Sequence, residues 1–344
     1  MSVDIEQHSD TARVGQTRQG PWIRWAWWLV PVAAVCVLGM QWYWAHRVPD
    51  SQTWSDVIGH VTDHWQPGDG LWVTPAWHAV PWDEVEHRLR DKNAETSGIV
   101  VPVKHPLTAD IIRYRRLWVV AVEPWAEEIP GMAKVATRHD FGRLIAVSLL
   151  EREYGEPTFD ALAQLGSATV SRKSPDGRAD RCMWASDRFR CGSQPWKEVR
   201  SRVAQVGSTR RRVIVAHAFP DKGSVILQYT GVTLGDVLEG GVGNTMWAVR
   251  HQVGSDVTYR IWVGDKEVFG VTLAPGDFSW NSFRIELGEL SGKIADIRVE
   301  ISADNTQWRE LGFDLVSYHQ RTEVSLTKPL RQVVVTSGYR PGFL

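Results

Sequence analysis

The chain has 344 residues, with 39 Lys and Arg against 40 Asp and Glu, and a formal net charge of −1 at pH 7. That balance excludes the basic footprint of a nucleic-acid-binding protein, so no nucleic-acid partner is expected. With 19 tryptophans and 43% hydrophobic residues the chain is too apolar to be disordered, and its length suits two folded domains.

The first predicted element is a helix in the uncharged run WAWWLVPVAAVCVLGMQWYW, residues 25–44. Twenty helical residues cross a hydrocarbon core of about 30 Å, and Trp and Tyr at both ends are typical of membrane interfaces. We therefore predict a single transmembrane helix over residues 22–45, after a cytoplasmic tail of residues 1–21. A cleavable signal peptide would have a shorter apolar run and a small-x-small exit. A buried core helix is the other alternative, although such helices are seldom apolar on every side.

The basic residues around this run indicate its orientation. Arg13, Arg18 and Arg24 precede it, whereas Arg47 follows it and the next basic residue is Arg88. Positive charge favours the cytoplasmic side. The expected location is the bacterial inner membrane, with the bulk of the chain exported to the periplasmic or extracytoplasmic side.

Residues 51–160 alternate between helical and extended patterns. WSDVIGHVTDHW places Trp54, Val57, Ile58 and Val61 on one helical face. Along the rest of the block, the segments WDEVEHRLR and TADIIRYRR have helical patterns and the segments LWVTP, SGIVVPV and LWVVAV have extended ones. The alternation predicts βαβ units around a parallel sheet, which is a small Rossmann-like α/β domain.

The segment RCMWASDRFRC predicts a disulfide-bonded hairpin. With a turn at residues 186–187, antiparallel pairing places Cys182 opposite Cys191 and Trp184 opposite Phe189, close enough for a bridge. Disulfides persist in oxidising compartments, which agrees with export. A metal pair would need a second pair of ligands, so no metal is expected. Two free thiols are the remaining alternative.

Residues 167–325 read as short strands separated by Gly, Asp, Asn and Pro turns, a texture typical of an antiparallel β-sandwich. In YRIWVGDKEVFGVTL, Gly264 and Asp265 form a hairpin bend between alternating segments. The segment LEGGVGN is interpreted as a turn at residues 240–244. Residues 326–344 are predicted to be a C-terminal extension.

Two segments of the first block carry a family resemblance: HVTDHWQPGDGLWVTPAW and YRRLWVVAVEPW. They are similar to the exported globular region of the many-spanning, lipid-linked-sugar glycosyltransferases of the GT-C class. The resemblance covers about residues 51–160 and implies that fold and a sugar-rich envelope setting. It transfers no catalytic residue, because the catalytic acidic residues of that class lie on loops between membrane helices that a one-span chain lacks.

The second block resembles the galactose-binding-like jelly rolls, the fold of many carbohydrate-binding modules. Segments in the order of such domains are GVTLGDVLEGGVGNTMWAV, VTYRIWVGDKEVFGVTL, FSWNSFRIELGELSGKIADIRVEISA and LGFDLVSY. The resemblance covers about residues 167–325. It implies a jelly-roll sandwich, a fold that also serves purely structural contacts.

Glycan binding predicts a set of loop residues in this block. Sugar rings present apolar faces that stack on indoles, with hydroxyl rims that hydrogen-bond to polar side chains. The predicted ligand-binding residues are Trp280, Trp308, Asn281, Asn305 and Gln307. Trp262, inside an alternating strand, is predicted to be core. Core packing is the alternative for each tryptophan, since a sandwich needs large inward-facing residues.

An enzymatic alternative rests on the α/β block. Sites in such layers form beyond the carboxyl ends of the parallel strands, and that rule selects His78, His105 and Glu123. A histidine and a carboxylate between indole walls can perform acid–base chemistry on a sugar. In the competing interpretation these are loop histidines and a solvated strand end. No G-x-S-x-G, H-E-x-x-H, P-loop or G-x-G-x-x-G motif is present.

The sequence thus predicts a membrane-anchored extracytoplasmic protein without catalytic activity or cofactor. Its expected role is glycan recognition or scaffolding in a cell-envelope polysaccharide or glycosyl-transfer assembly. Two alternatives stay open. One is an acid–base carbohydrate-active enzyme that uses the α/β cleft, and the other is a structural envelope protein with a protein partner and no small ligand.

Overall fold

The computed structural model describes residues 21–45, 49–74, 87, 107–122, 135–142, 144–152, 155–194, 196–207, 209–219 and 223–320. The chain divides into two compact units, Met1–Ser51 and Gln52–Leu344. The first contains helix α1 (Pro21–Ala45), at the position predicted for the apolar helix. Within the described part of the chain, no helix combines the length and the apolarity needed to cross a membrane.

The second unit begins with a helix packed on a four-stranded sheet. These elements and the short helix that precedes β2 are α2 (Ser51–Asp63), β1 (Asp69–Thr74), α3 (Thr108–Ile111), β2 (Arg116–Val122), β3 (Val135–Phe141) and β4 (Ile145–Glu151). Trp54, Val57, Ile58 and Val61, the face predicted from the sequence, are buried against alternate residues of β1, β2 and β4. Each large apolar side chain buried in this way contributes about 1.5–3 kcal/mol, and this face therefore holds α2 on the sheet.

The sheet is mixed, which corrects the parallel Rossmann-like layer predicted for this block. Its spatial order is β1-β2-β4-β3. β1 and β2 are parallel, but β4 is antiparallel to both β2 and β3. A tight connection with Gly142 at φ 63° joins β3 to β4, and antiparallel neighbours of this kind need no crossover helix. The predicted strand SGIVVPV lies outside the described residues.

The remainder of the unit is a β-sandwich of two antiparallel sheets, which confirms the predicted sandwich. Its strands are β5 (Phe159–Asp160), β6 (Thr169–Lys173), β7 (Ala179–Arg181), β8 (Met183–Ala185), β9 (Arg188–Arg190), β10 (Glu198–Val206), β11 (Thr209–His217), β12 (Ser224–Thr233), β13 (Val237–Asn244), β14 (Val257–Val263), β15 (Lys266–Leu273), β16 (Asn281–Glu286), β17 (Ile294–Ala303) and β18 (Glu310–Tyr318). One sheet has the order β8-β9-β10-β11-β18-β13-β16, with β5 beside β18, and the other β7-β6-β12-β17-β14-β15. Their inward faces share one apolar core.

Both predicted hairpins are present. Trp184 pairs with Phe189, and the disulfide between Cys182 and Cys191 joins Cα atoms 4.4 Å apart, as the sequence predicted. In the second hairpin β14 and β15 meet around Gly264, whose φ of 58° suits the bend.

The glycine-rich segment LEGGVGN forms the buried strand β13, which corrects the turn predicted at residues 240–244. β13 lies between β16 and β18. A Cβ atom at Gly240 would collide with the carbonyl oxygen of Asp314, and one at Gly241 with the indole of Trp280. These glycines therefore permit close approach of neighbouring groups rather than chain reversal.

Buried ion pairs join the α/β part to the sandwich. Arg113, just after α3, donates from Nε to Asp160 at 2.8 Å and from Nη1 to Asp314 at 2.7 Å. Burial alone would lower the pKa of Arg113, but the two carboxylates raise it above its ordinary value, and the guanidinium stays charged. A second pair joins Arg211 to Asp110 at 2.6 Å. Desolvated pairs of this kind hold only when the hydrogen-bond geometry is good.

The predicted domain division at residues 160–167 stays a prediction. The short strand β5 lies within the range assigned to the first domain, yet it pairs with Val316 and Ser317 of β18. Phe159 is fully buried in the sandwich core. Packing of the sandwich therefore begins some residues before the predicted second domain.

Candidate functional site

A cavity of about 310 Å³ lies where several connections of the sandwich meet. Its walls come from the turn between β9 and β10, the end of β11, the helix α4 (Met246–His251) and the loop between β17 and β18. The lining residues are Trp196, His217, Trp247, Thr306, Gln307 and Trp308. We call this cavity the aromatic pocket.

Three tryptophans of the aromatic pocket are exposed although each packs against another ring. Trp196, Trp247 and Trp308 are 43%, 45% and 36% exposed. The ring of Trp308 meets Trp247 edge-on at 4.1 Å and His251 edge-on at 4.2 Å between centroids. Edge-to-face contacts of this kind fix ring orientation. The indoles are thus held in place while part of each surface stays accessible to a ligand.

Helix α4 positions Trp247 and His251. The Oγ1 atom of Thr245 caps the helix by accepting a hydrogen bond from the backbone N–H of Ala248 at 3.4 Å, and donates to Glu310 at 2.9 Å. Residues four apart lie on one helical face, and the rings of Trp247 and His251 are 5.2 Å apart. The cap thereby sets the wall of the pocket that faces Trp308.

Trp308 adopts a left-handed backbone conformation, with φ 57°. This conformation costs a residue with a side chain roughly 1–2 kcal/mol, and such strain is concentrated at binding and catalytic sites. Trp308 lies in the loop between β17 and β18, and hydrogen bonds fix the residues beside it. The backbone N–H of Arg309 donates to the carbonyl oxygen of Thr306 at 3.1 Å, so the turn that presents the indole is closed.

Asn305 supports this loop from behind. Its backbone N–H donates to the Oγ of Ser255 at 2.8 Å, and its Oδ1 accepts from the backbone N–H of Gln307 at 3.1 Å. Asn305 does not line the aromatic pocket, and its predicted ligand binding stays a prediction. The predicted residues Gln307 and Trp308 do line the cavity.

His217 supplies a neutral acceptor at the floor of the pocket. Its Nδ1 lies 2.8 Å from the carbonyl oxygen of Ala218, and because a carbonyl only accepts, Nδ1 carries the proton. Burial lowers the pKa of His217, outweighing the opposite effects of that carbonyl and of Glu310. The imidazole is therefore neutral at pH 7, and the lone pair of Nε2 can accept a hydrogen bond.

Two charged side chains beside the pocket, Lys197 and Glu310, have partners. The Nζ atom of Lys197 lies 5.0 Å from the ring centroid of Trp196, within the range of a cation–π contact. Glu310 accepts hydrogen bonds from Arg202 at 2.6 Å and from Thr245 at 2.9 Å. None of the described lining residues is a carboxylate, and the pocket accordingly offers apolar faces and neutral polar groups.

The structure separates Trp280 and Asn281 from this pocket. The indole of Trp280 lies against Gly241, with the guanidinium carbon of Arg211 4.5 Å from the ring centroid. Its Nε1 is buried without a hydrogen-bond partner among the described residues. Asn281 begins β16, opposite Val242 of β13. Neither Trp280 nor Asn281 lines the aromatic pocket, and their predicted ligand binding stays a prediction. Trp262, predicted to be core, is buried.

Sequence reasoning did not select four residues that the fold brings to the pocket. These are Trp196, His217, Trp247 and His251. Residues 246–251 fall in the block that was interpreted as short strands, whereas they form α4. The four-residue spacing of Trp247 and His251 was the available signal, since it places both rings on one helical face. Nothing local indicated Trp196 or His217, because their position depends on long-range strand pairing.

The alternative catalytic residues His78, His105 and Glu123 lie outside the described residues. Among the residues that the structure describes, no group of His, Cys, Asp or Glu is arranged to hold a metal ion.

No family model and no curated protein matches this chain. Solved structures of carbohydrate-binding modules do. The CBM51-2 and INT domains of Clostridium perfringens ZmpB, in complex with GlcNAc, match with 11% identity and a TM-score of 0.30, over 44% of this chain and 37% of that one. CBM51 from Clostridium perfringens GH95, in complex with methyl-galactose, matches with 11% identity and a TM-score of 0.25, over 43% and 80%. The xylan-binding module CBM15 matches with 11% identity and a TM-score of 0.24, over 44% and 92%.

This chain therefore spans about a third of the length of the ZmpB structure and most of the other two. At these TM-scores the likenesses carry no conclusion about a ligand. The resemblance of residues 51–160 to the GT-C class gains no support from these comparisons and stays a prediction.

Proposed function

We propose that this protein binds glycans and that the aromatic pocket receives the sugar. The observation that carries the proposal is the convergence of three exposed indoles, from Trp196, Trp247 and Trp308, on one cavity with neutral polar groups. Its volume of about 310 Å³ lies at the lower end of the range for small-molecule pockets. A short stretch of saccharide suits that size.

Each lining group has a defined part in this proposal. The indole face of Trp308 stacks on the apolar face of a sugar ring, because an aromatic ring offers a flat apolar surface. The Nε2 atom of His217 accepts a hydrogen bond from a sugar hydroxyl, and the exposed amide of Gln307 both donates and accepts. Trp247 and Trp196 form the side walls and exclude water from those hydrogen bonds.

Two other ligand chemistries fit the pocket less well. Glycoside hydrolysis uses a pair of carboxylates, and the described lining residues include none. An aromatic cage can also take a quaternary ammonium ion. Here, however, the ammonium of Lys197 already lies over Trp196, and its charge would repel a second cation.

The setting that we propose is the cell envelope, in association with a polysaccharide or a glycosyl-transfer assembly. Support comes from the uncharged run at residues 25–44 with its aromatic ends, and from the disulfide, which persists in an oxidising compartment. On this proposal a tag after Leu344 is digested by protease added to intact spheroplasts and a tag before Met1 is protected. Protection of the C-terminal tag would contradict it.

The binding proposal is tested with the purified full-length chain on a glycan array, followed by calorimetry with the best ligand. Truncating an aromatic residue at the centre of a binding site costs about 2 kcal/mol or more, which corresponds to about a 30-fold loss of affinity. We expect such a loss for Trp308→Ala and for Trp247→Ala.

The matched control is Trp184→Ala. Trp184 is 42% exposed and packs against Phe189 in the disulfide hairpin, away from the residues that line the pocket. The Trp184→Ala variant should bind the ligand with the same affinity as the unmodified chain. Equal losses in Trp184→Ala and Trp308→Ala, or no glycan bound at all, would contradict the proposed function.

A further inference from the structure

Trp196 is the indole of the aromatic pocket that ring packing holds least. Trp247 and Trp308 contact each other edge-on at 4.1 Å between ring centroids. Among the described residues, the ring contacts of Trp196 are with the imidazole of His217, at 4.8 Å between centroids, and with the ammonium of Lys197. Trp196 is also 43% exposed. The direction of its side chain therefore depends on the backbone turn that carries it.

That turn connects β9 to β10 and is closed by backbone hydrogen bonds. The N–H of Cys191 donates to the carbonyl oxygen of Lys197 at 2.8 Å, and the N–H of Lys197 donates to the carbonyl oxygen of Gln194 at 3.0 Å. β9 has three residues, and its pairing with β10 ends at Arg190, opposite Glu198. Cys191 is thus the residue at which the turn leaves the sheet.

The disulfide fixes Cys191 to the other sheet of the sandwich. Its partner Cys182 lies between β7 of one sheet and β8 of the other. The N–H of Cys182 donates to the carbonyl oxygen of Val170, in β6, at 2.8 Å. Without the bridge, β8 and β9 would be an edge hairpin with three residues in each strand, and a hairpin of this size has little stability of its own.

Arg172 fixes the same residue from β6. Its Nη1 atom donates to the carbonyl oxygen of Cys191 at 3.3 Å, and its guanidinium carbon lies 4.0 Å from the ring centroid of Phe219. Phe219 is buried and follows His217 by two residues at the end of β11. The turn that carries Trp196 and the segment that carries His217 are therefore held by one set of contacts.

We infer that the disulfide between Cys182 and Cys191 is a positioning element of the glycan-binding site, which holds Trp196 in the aromatic pocket. Arg172 contributes to the same positioning. None of these three residues lines the cavity, so they act on the sugar through Trp196. The inference rests on the proposed glycan binding. Without the bridge the turn is mobile, and binding must first order Trp196, which lowers the affinity.

The first test needs no ligand. The indole N–H signals of the full-length chain are recorded by NMR, and Trp196→Phe assigns the signal of Trp196. In Cys182→Ala/Cys191→Ala we expect the heteronuclear NOE of the Trp196 indole, which reports its order on the ps–ns timescale, to fall. The values for Trp247 and Trp308 should stay the same. An unchanged value for Trp196, or an equal fall for all three indoles, would overturn the inference.

The second test measures affinity by calorimetry, with the array glycan of highest affinity as the purified oligosaccharide. Cys182→Ala/Cys191→Ala should bind it about 2–10 times more weakly, which is the cost of ordering one mobile side chain on binding. The same two substitutions should cause no further loss in a chain that already carries Trp196→Ala, because the bridge acts through that indole. Losses that simply add would contradict the inference.

Two further variants separate positioning from stability. Arg172→Met keeps the bridge but removes the hydrogen bond to Cys191, so the order of the Trp196 indole should fall by a smaller amount, even if the double cysteine variant does not fold. Ile297→Val trims a buried core residue of β17, and it should lower the melting temperature without changing the Trp196 signal. An unaltered Trp196 signal in Arg172→Met, or the same fall in Ile297→Val, would count against positioning. If no array glycan binds, the proposed function fails, whereas the NMR of the free chain still decides whether the bridge positions Trp196.

Discussion

Replacing Arg113 with methionine is expected to destabilise the second unit by about 3–5 kcal/mol, because it strands buried charges. The side chain of Arg113 is 13% exposed, and those of its partners Asp160 and Asp314 are 12% and 6% exposed. Methionine keeps the bulk of the stem but leaves two carboxylates close together without a cation. The loss should therefore be far larger than the usual effect of a surface substitution.

The two carboxylates should respond unequally. The Oδ1 atom of Asp160 also accepts from the backbone N–H groups of Leu162 at 2.9 Å and Ala163 at 3.3 Å, which continue to solvate it. Asp314 depends more on Arg113, since burial raises the pKa of Asp314 while Arg113 lowers it. Adding Asp314→Asn to Arg113→Met should thus recover more stability than adding Asp160→Asn.

The pH dependence has a definite sign. In Arg113→Met the pKa of the folded-state carboxyl of Asp314 rises further, so the folded variant binds protons that the unfolded chain releases. The loss of unfolding free energy in Arg113→Met, relative to the unmodified chain, should therefore be smaller at pH 5 than at pH 8. Urea unfolding followed by circular dichroism measures each free energy, with exposed Arg178→Met as the matched control. A loss below about 1 kcal/mol, or one equal to the control, would refute the role given to this ion pair.

Three further outcomes follow from single sites. Cys191→Ser should lower the stability of the sandwich by about 2–3 kcal/mol without abolishing the fold, because the bridge closes a short loop. An unchanged melting temperature would contradict this. Non-reducing mass mapping of the unmodified chain should find the two cysteine peptides joined. Since burial lowers the pKa of His217, the unfolded chain binds more protons below about pH 6.5 and stability falls as the pH drops through that value. His217→Gln should flatten that fall, and an unaltered pH profile would count against a buried neutral imidazole. Gly240→Ala should cost about 3 kcal/mol in thermal or urea unfolding, the upper end of the range for overpacked cores, because its Cβ would collide with backbone atoms of Asp314. Gly276→Ala should be tolerated, because its Cβ would meet only the side-chain nitrogen of Gln252 at 4.0 Å. Equal costs would argue against the close strand packing.

Local signals predicted local structure well. The disulfide hairpin and the bend at Gly264 depend on alternation and turn residues within about fifteen positions, and both are present. The face of α2 follows from helical periodicity in the same way. In these cases the residues that decide the structure are close together in the chain.

Long-range packing explains the failures. Trp280 and Trp308 look alike in sequence, since each lies in a polar loop before a strand. Only the pairing of β13 with β16 and β18 places Gly241 beneath Trp280, whose indole does not line the aromatic pocket. The same pairing makes LEGGVGN a strand, although its glycines alone favour a turn.

The most direct test of glycan binding is the set of indole N–H signals of the full-length chain, recorded by NMR during addition of the ligand chosen on the array. The account predicts that the signals of Trp196, Trp247 and Trp308 shift together with one dissociation constant. The signals of Trp262, which is buried, and of Trp280, packed on Gly241, should stay in place. Shifts confined to Trp280, or binding that moves none of the three pocket indoles, would contradict the account.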